Sequence, residues 1–76
     1  MEDKIASDSR AVQLAEVAVA RRKELHLTQD ILADLAGCSP RFIRAFEQGK
    51  ATARLDKVID VLDALGLQLT ATRRLS

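Results

Sequence analysis

The sequence predicts an all-α fold, a compact bundle of four to five short helices with one short β-strand at its C-terminal end. Three observations predict it. Aliphatic side chains dominate the 47% hydrophobic content of the 76 residues, with two Phe and no Trp or Tyr, a composition that favours a small helical bundle. Apolar residues recur at helical spacing in several separate stretches, each bounded by a capping residue or by glycine. After Gly66 the period changes from helical to two. A chain of this length holds one domain, and its single core is marginal unless an oligomer or a staple helps.

Met1 to Ser7 lack periodicity, so residues 1–8 are expected to be a flexible N-terminus. A helix is expected from Ser7, Asp8 or Ser9, each able to cap it, to about Leu25. Leu14, Val17, Ala18 and Leu25 fall on the face available for packing. His26 follows as a histidine tolerated at a helix end, where its positive form suits the dipole. Thr28 is a good N-cap for the next helix and Asp30 suits its first turn. Leu32, Ala33, Leu35 and Ala36 then recur at helical spacing until Gly37, which turns at positive φ without steric cost. Ser39 caps a further helix with Pro40 at its first position, where the missing N–H costs nothing. Ile43 and Phe46 form its inward stripe, and Gly49 stops it.

Two helices this short, joined by a tight corner containing glycine, form the helix-turn-helix pattern. Small Ala33 lets the second helix cross close over the first. Lys50 to Arg54 make a short connection in which Thr52 is the expected N-cap of the next helix. Leu55, Val58, Ile59, Leu62 and Leu65 give that helix one apolar face, and Gly66 closes it. Asp56, Asp60 and Asp63 lie opposite, either as a solvated face or as an acidic docking stripe for a basic partner. Leu67 to Thr72 alternate apolar and polar residues and read as a strand. Nothing else in the chain can be its neighbour, so the economical partner is the same strand of a second copy about a two-fold axis. Leu67, Leu69 and Ala71 would face that contact. The alternative is a disordered tail that happens to alternate.

Charge and chemistry narrow the function. Net charge is only +1, from 12 Lys and Arg against 11 Asp and Glu, yet Arg41, Arg44, Lys50 and Arg54 face a single acid, Glu47, between Cys38 and Arg54. That stretch is locally basic, as a surface meeting phosphates must be. The lone Cys38 excludes an internal disulfide and fits a buried thiol beside the corner. One His without Cys or His neighbours makes no metal site, and no nucleophile-base set or Gly-rich phosphate loop points to catalysis or to a cofactor. A small-molecule substrate is not expected. No apolar run approaches the roughly 18 residues of a membrane span, and the polar start is no signal peptide, so a cytoplasmic protein is expected.

Thr28-Gln29, Leu32-Ala33, Ala36-Gly37, Ser39, Ile43 and Glu47-x-Gly49 together resemble the helix-turn-helix of the Xre/Cro family of DNA-binding regulators, whose fold is lambda-repressor-like. The resemblance implies a DNA-binding domain over residues 9–66, a dimerisation strand over 67–73 and a tail over 74–76. It places Arg22 in register with the arginine that pairs with the glutamate near the end of the recognition helix, here Glu47. Three positions depart from the family pattern: His26 stands where glycine is usual, Ile31 where a charged residue is usual, and Ala51 where proline often occurs. The resemblance also implies that the second motif helix enters the major groove while the first crosses the backbone. Arg41 and Arg44 are then the candidates for guanine O6 and N7, with Ser39, Pro40 and Ala45 beside them at base edges. Gln29 matches the family glutamine that holds phosphate, and Thr28, Lys50 and Thr52 are its phosphate-contacting neighbours.

The tail narrows the resemblance further. Leu65-Gly66-Leu67-x-Leu69-Thr70, with Ala20-Arg21-Arg22-Lys23 before the motif and Gly49-Lys50 and Arg54-Leu55-Asp56-Lys57-Val58 after it, is similar to the HipB-type antitoxins. That likeness implies a bacterial homodimer on an inverted-repeat operator in double-stranded DNA, nucleoid-associated when bound. It also implies autorepression of an operon that encodes a HipA-like kinase toxin as its protein partner. A free-standing Xre-family regulator, and an interaction module that neutralises a kinase toxin with weak DNA binding, share the same scaffold and stay open.

Overall fold

A computed structural model describes residues 2–74, with side chains from Ser9 onward. Four helices follow one another: α1 (Glu2–Glu24), α2 (Gln29–Ala36), α3 (Pro40–Glu47) and α4 (Leu55–Ala64). α2 packs on both α3 and α4, while α1 packs on α3. Where the pattern predicts a start at Ser7 to Ser9 after a flexible N-terminus, α1 already begins at Glu2. No Gly or Pro interrupts the stretch, so no helix breaker separates Glu2 from the expected start. Met1 and the last two residues of the expected tail, Leu75 and Ser76, lie outside the described residues.

The corner between α2 and α3 follows its local chemistry. The Thr28 hydroxyl accepts from the Ile31 N–H at 3.1 Å, and the Ser39 hydroxyl accepts from the Phe42 N–H at 3.0 Å, so each helix has one otherwise orphaned donor satisfied. Gly37 takes φ 70, and the Cys38 N–H returns to the Ala33 carbonyl at 3.0 Å. α4 begins differently from the expectation. Its N-cap is Arg54, without a side-chain cap bond, because the helix starts at Leu55 and Thr52 stands too far upstream to reach its first N–H groups.

The core lies among Ala18 of α1, Leu32, Ala33 and Ala36 of α2, Ile43 and Phe46 of α3, and Val58, Val61, Leu62 and Leu65 of α4 and its end. Ala15 and Ala18, rather than Val17, form the buried part of α1, and Val17 is 55% exposed. Leu25 is exposed beyond the end of α1, whereas Leu14 packs against the core. The buried residues of α4, Val58, Val61 and Leu62, and its C-cap Leu65 form one helical stripe aimed at α2. Leu55 and Ile59 sit at its edge and stay exposed, as does Leu35 on α2.

The expected C-terminal strand is absent among the described residues, because the single chain offers residues 67–74 no neighbouring strand with which to form a ladder. Leu67 packs against the chain's own core instead, and its N–H returns to the Leu62 carbonyl at 2.8 Å. Arg21 Nε donates to the Leu65 carbonyl at 2.9 Å, tying α1 to the point where the tail leaves α4. Leu69 turns back over a small cavity of about 170 Å³ that it shares with Leu14, Phe46 and Val58.

Candidate nucleic-acid interface

α3 is amphipathic across its width. Ile43 and Phe46 are buried against α1 and α2, and Phe42 stacks on Phe46 with ring centroids 6.3 Å apart and planes 5° from parallel. The opposite face presents Ser39, Pro40, Arg41 and Arg44 to solvent, with Ala45 half-buried between the two sides. Between that face and the α3–α4 connection lies an open concavity of about 350 Å³, lined by Ser39, Arg41, Ala45, Lys50, Thr52 and Arg54 among others. It brings together three of the residues expected at base edges with two expected at phosphates. Pro40 and Arg44 lie on the same helix outside the lining.

Hydrogen bonding leaves these groups free to act. The Ser39 hydroxyl is used as an acceptor by its cap, so its O–H can still donate outward. Arg54, part of the basic stretch but outside the expected contact set, lines the concavity and pairs with Asp56 at 2.8 Å. Both side chains are largely exposed, so that pair is a weak restraint and Arg54 can exchange it for a phosphate. Thr28 and Gln29 stand outside the lining, at the start of α2, where the N–H groups of the first turn carry the positive end of a helix dipole.

The structure brings Arg22 and Glu47 together. Arg22 donates from Nε to Glu47 Oε2 at 2.6 Å and from Nη2 to Oε1 at 3.0 Å, a fork on one carboxylate, while Nη1 donates to the Leu27 carbonyl at 2.9 Å. Only 14% of the Arg22 side chain and 7% of that of Glu47 are accessible. A third donor joins them beyond what the sequence pattern foretells: Gln29 Nε2 donates to Glu47 Oε1 at 2.9 Å. No local spacing signals that contact, since the two residues meet only after α3 has crossed α2.

Around the corner, His26 takes φ 57, the left-handed region that glycine occupies freely. The chain thus keeps the backbone conformation of a glycine with a histidine in place. Burial pushes the Cys38 thiol above its ordinary range, with nearby Asp60 adding to the rise and Lys57 opposing it. Among the described residues no cluster of His, Cys, Asp or Glu is placed to hold a metal ion, and no helix is long and apolar enough to cross a membrane.

Residues 20–71 match the family described as Helix-turn-helix, a span that takes in all of α2, α3 and α4. A stretch of 48 residues is 50% identical to a protein of Sinorhizobium fredii named Uncharacterized HTH-type transcriptional regulator y4mF, covering 63% of this chain and 63% of that protein.

Proposed function

The chain belongs to the helix-turn-helix family, and from that premise we propose that it is a sequence-specific DNA-binding transcriptional repressor. The observation that carries this reading is the shared concavity. Arg41 and Ala45 on α3 and its N-cap Ser39 line one concavity of about 350 Å³ with Lys50 and Thr52, so groups suited to base edges and groups suited to phosphates converge on one surface. α3 would lie in the major groove, with Arg41 and Arg44 donating to guanine and Ser39, Pro40 and Ala45 against neighbouring base edges. Thr28, Gln29, Lys50 and Thr52 would hold the flanking phosphates and set the register.

The operator is an inverted repeat read by a homodimer, with half-sites about one helical turn, roughly 34 Å, apart. In that dimer the tails pair antiparallel through Leu69 and Ala71, both exposed in the single chain, while Leu67 anchors each tail to its own core. Bound over a promoter, the dimer represses by excluding polymerase. The tail and the residues flanking the motif further support the antitoxin of a HipBA-like type II toxin-antitoxin operon, autorepressing and bound to its kinase toxin. Co-expression with the adjacent gene product tests that part.

A second reading, an interaction module with weak DNA affinity, draws on one observation: Ile31 and Leu35, one turn apart on α2, are 48% and 60% exposed. Enrichment from a random duplex pool separates the two. The repressor reading expects recovery of one inverted repeat, and recovery of unrelated sequences would favour the interaction module.

A further inference from the structure

We infer that Glu47 is a positioning residue for phosphate contact, fixing the Gln29 amide at the start of α2 before DNA arrives. The inference rests on the DNA-binding reading and adds to it a role for a carboxylate that would otherwise only tie helices together. Glu47 sits at the last position of α3 with its side chain 7% accessible, and its two oxygens take three donors: Arg22 Nε, Arg22 Nη2 and Gln29 Nε2. Arg22 is itself held by the Leu27 carbonyl, two residues before Gln29. The carboxylate is therefore clamped from α1 and cannot follow Gln29; Gln29 must come to it.

An ionised carboxylate only accepts, so the contact determines which end of the Gln29 amide turns inward. The NH₂ group faces Glu47 and spends one of its two hydrogens there. The second hydrogen is left for another acceptor, and Gln29 is the first residue of α2, whose first-turn N–H groups would receive a phosphate oxygen. An unheld glutamine would surrender several rotatable bonds on binding, whereas this one has surrendered them on folding. The same carboxylate, being at the end of α3, links the phosphate-contacting group to the helix that reads bases.

The test is a double-mutant cycle on DNA. Replacing the buried pair by apolar residues, Arg22→Met with Glu47→Leu, removes the carboxylate without stranding a buried charge, and thermal unfolding shows whether the fold is kept. Gln29→Ala is then made in two backgrounds, one with the Arg22 and Glu47 pair present and one with the pair replaced. With the pair present, Gln29→Ala should weaken DNA binding by roughly threefold to tenfold; with the pair replaced it should change nothing further. An equal loss in both backgrounds overturns the inference.

A second readout needs no variant that disturbs the core. In the free ¹⁵N-labelled protein, the Gln29 side-chain amide should be as rigid as the backbone, unlike those of exposed Gln13, Gln48 and Gln68. Equal mobility of all four would also overturn it. If wild-type protein bound no DNA at all while the Gln29 amide was rigid, the DNA-binding reading would fail and the contact would be structural only.

Discussion

Gly49 stands so close to Val12 that a Cβ placed on it would lie 2.8 Å from Val12 Cγ2 and 3.2 Å from Val12 Cα. The contact is the seam between the end of α3 and α1, and the backbone of Gly49 is also left-handed, at φ 83. Both the close approach and the dihedral demand glycine there. Gly37 separates the two demands, since at φ 70 it has open space around the same position. Gly49→Ala is expected to cost about 2 to 4 kcal/mol, by overpacking plus strain. Gly37→Ala should cost only about 1 to 2 kcal/mol, the dihedral alone. Denaturant unfolding of the two variants measures the difference.

Breaking the Arg22 and Glu47 pair from one side should be far more damaging than removing it whole. Glu47→Ala leaves a guanidinium that is 14% accessible without its partner, at an expected cost of about 3 to 5 kcal/mol. The paired replacement Arg22→Met with Glu47→Leu should stay within about 1.5 kcal/mol of wild type. Thermal melts of the two variants, compared with wild type, check this.

His26 offers a gain rather than a loss. Its φ of 57 strains any side chain with a Cβ, so His26→Gly should stabilise by about 0.5 to 1 kcal/mol after the greater freedom of glycine in the unfolded chain is subtracted. In a domain of this size that raises Tm by about 2 to 8 °C. His26→Val should lower it.

The Cys38 thiol, raised by burial, should react with an aromatic disulfide more slowly than an unfolded cysteine at the same pH. Because its folded pKa lies above the unfolded value, its contribution to stability is fully present below the unfolded pKa and is lost as pH rises through the folded one. Cys38→Ala should flatten the fall in stability on that alkaline side, read as Tm against pH.

The corner was legible because each of its signals is local. Thr28, Gly37, Ser39 and Pro40 dictate caps and a turn through neighbouring backbone groups, and neighbouring groups are what a sequence displays. The edges of the apolar stripes were less legible. Val17, Leu35 and Leu55 carry the right chemistry, yet Ala15 and Val61 are the buried residues, since the choice of face depends on how closely another helix approaches. The tail alternates as a strand does, but alternation states only a willingness to pair, and the single chain holds no partner for it. On the candidate surface, the exposure of Pro40, Arg41 and Arg44 was legible from helical register, whereas the Gln29 and Glu47 contact and the place of Arg54 in the concavity depend on helices that meet across the fold.

The most direct measurement is the affinity of the intact protein for the inverted repeat recovered from the random pool, against an unrelated duplex, at two salt concentrations, with and without Arg41→Ala and Arg44→Ala. The wild type should prefer the repeat and lose affinity steeply as salt rises, since bound phosphates release counterions. The double variant should melt as the wild type does, both side chains being exposed, and lose at least about thirtyfold of the preference. A wild type that binds both duplexes equally, or a double variant that keeps the full preference, would contradict recognition of DNA through α3.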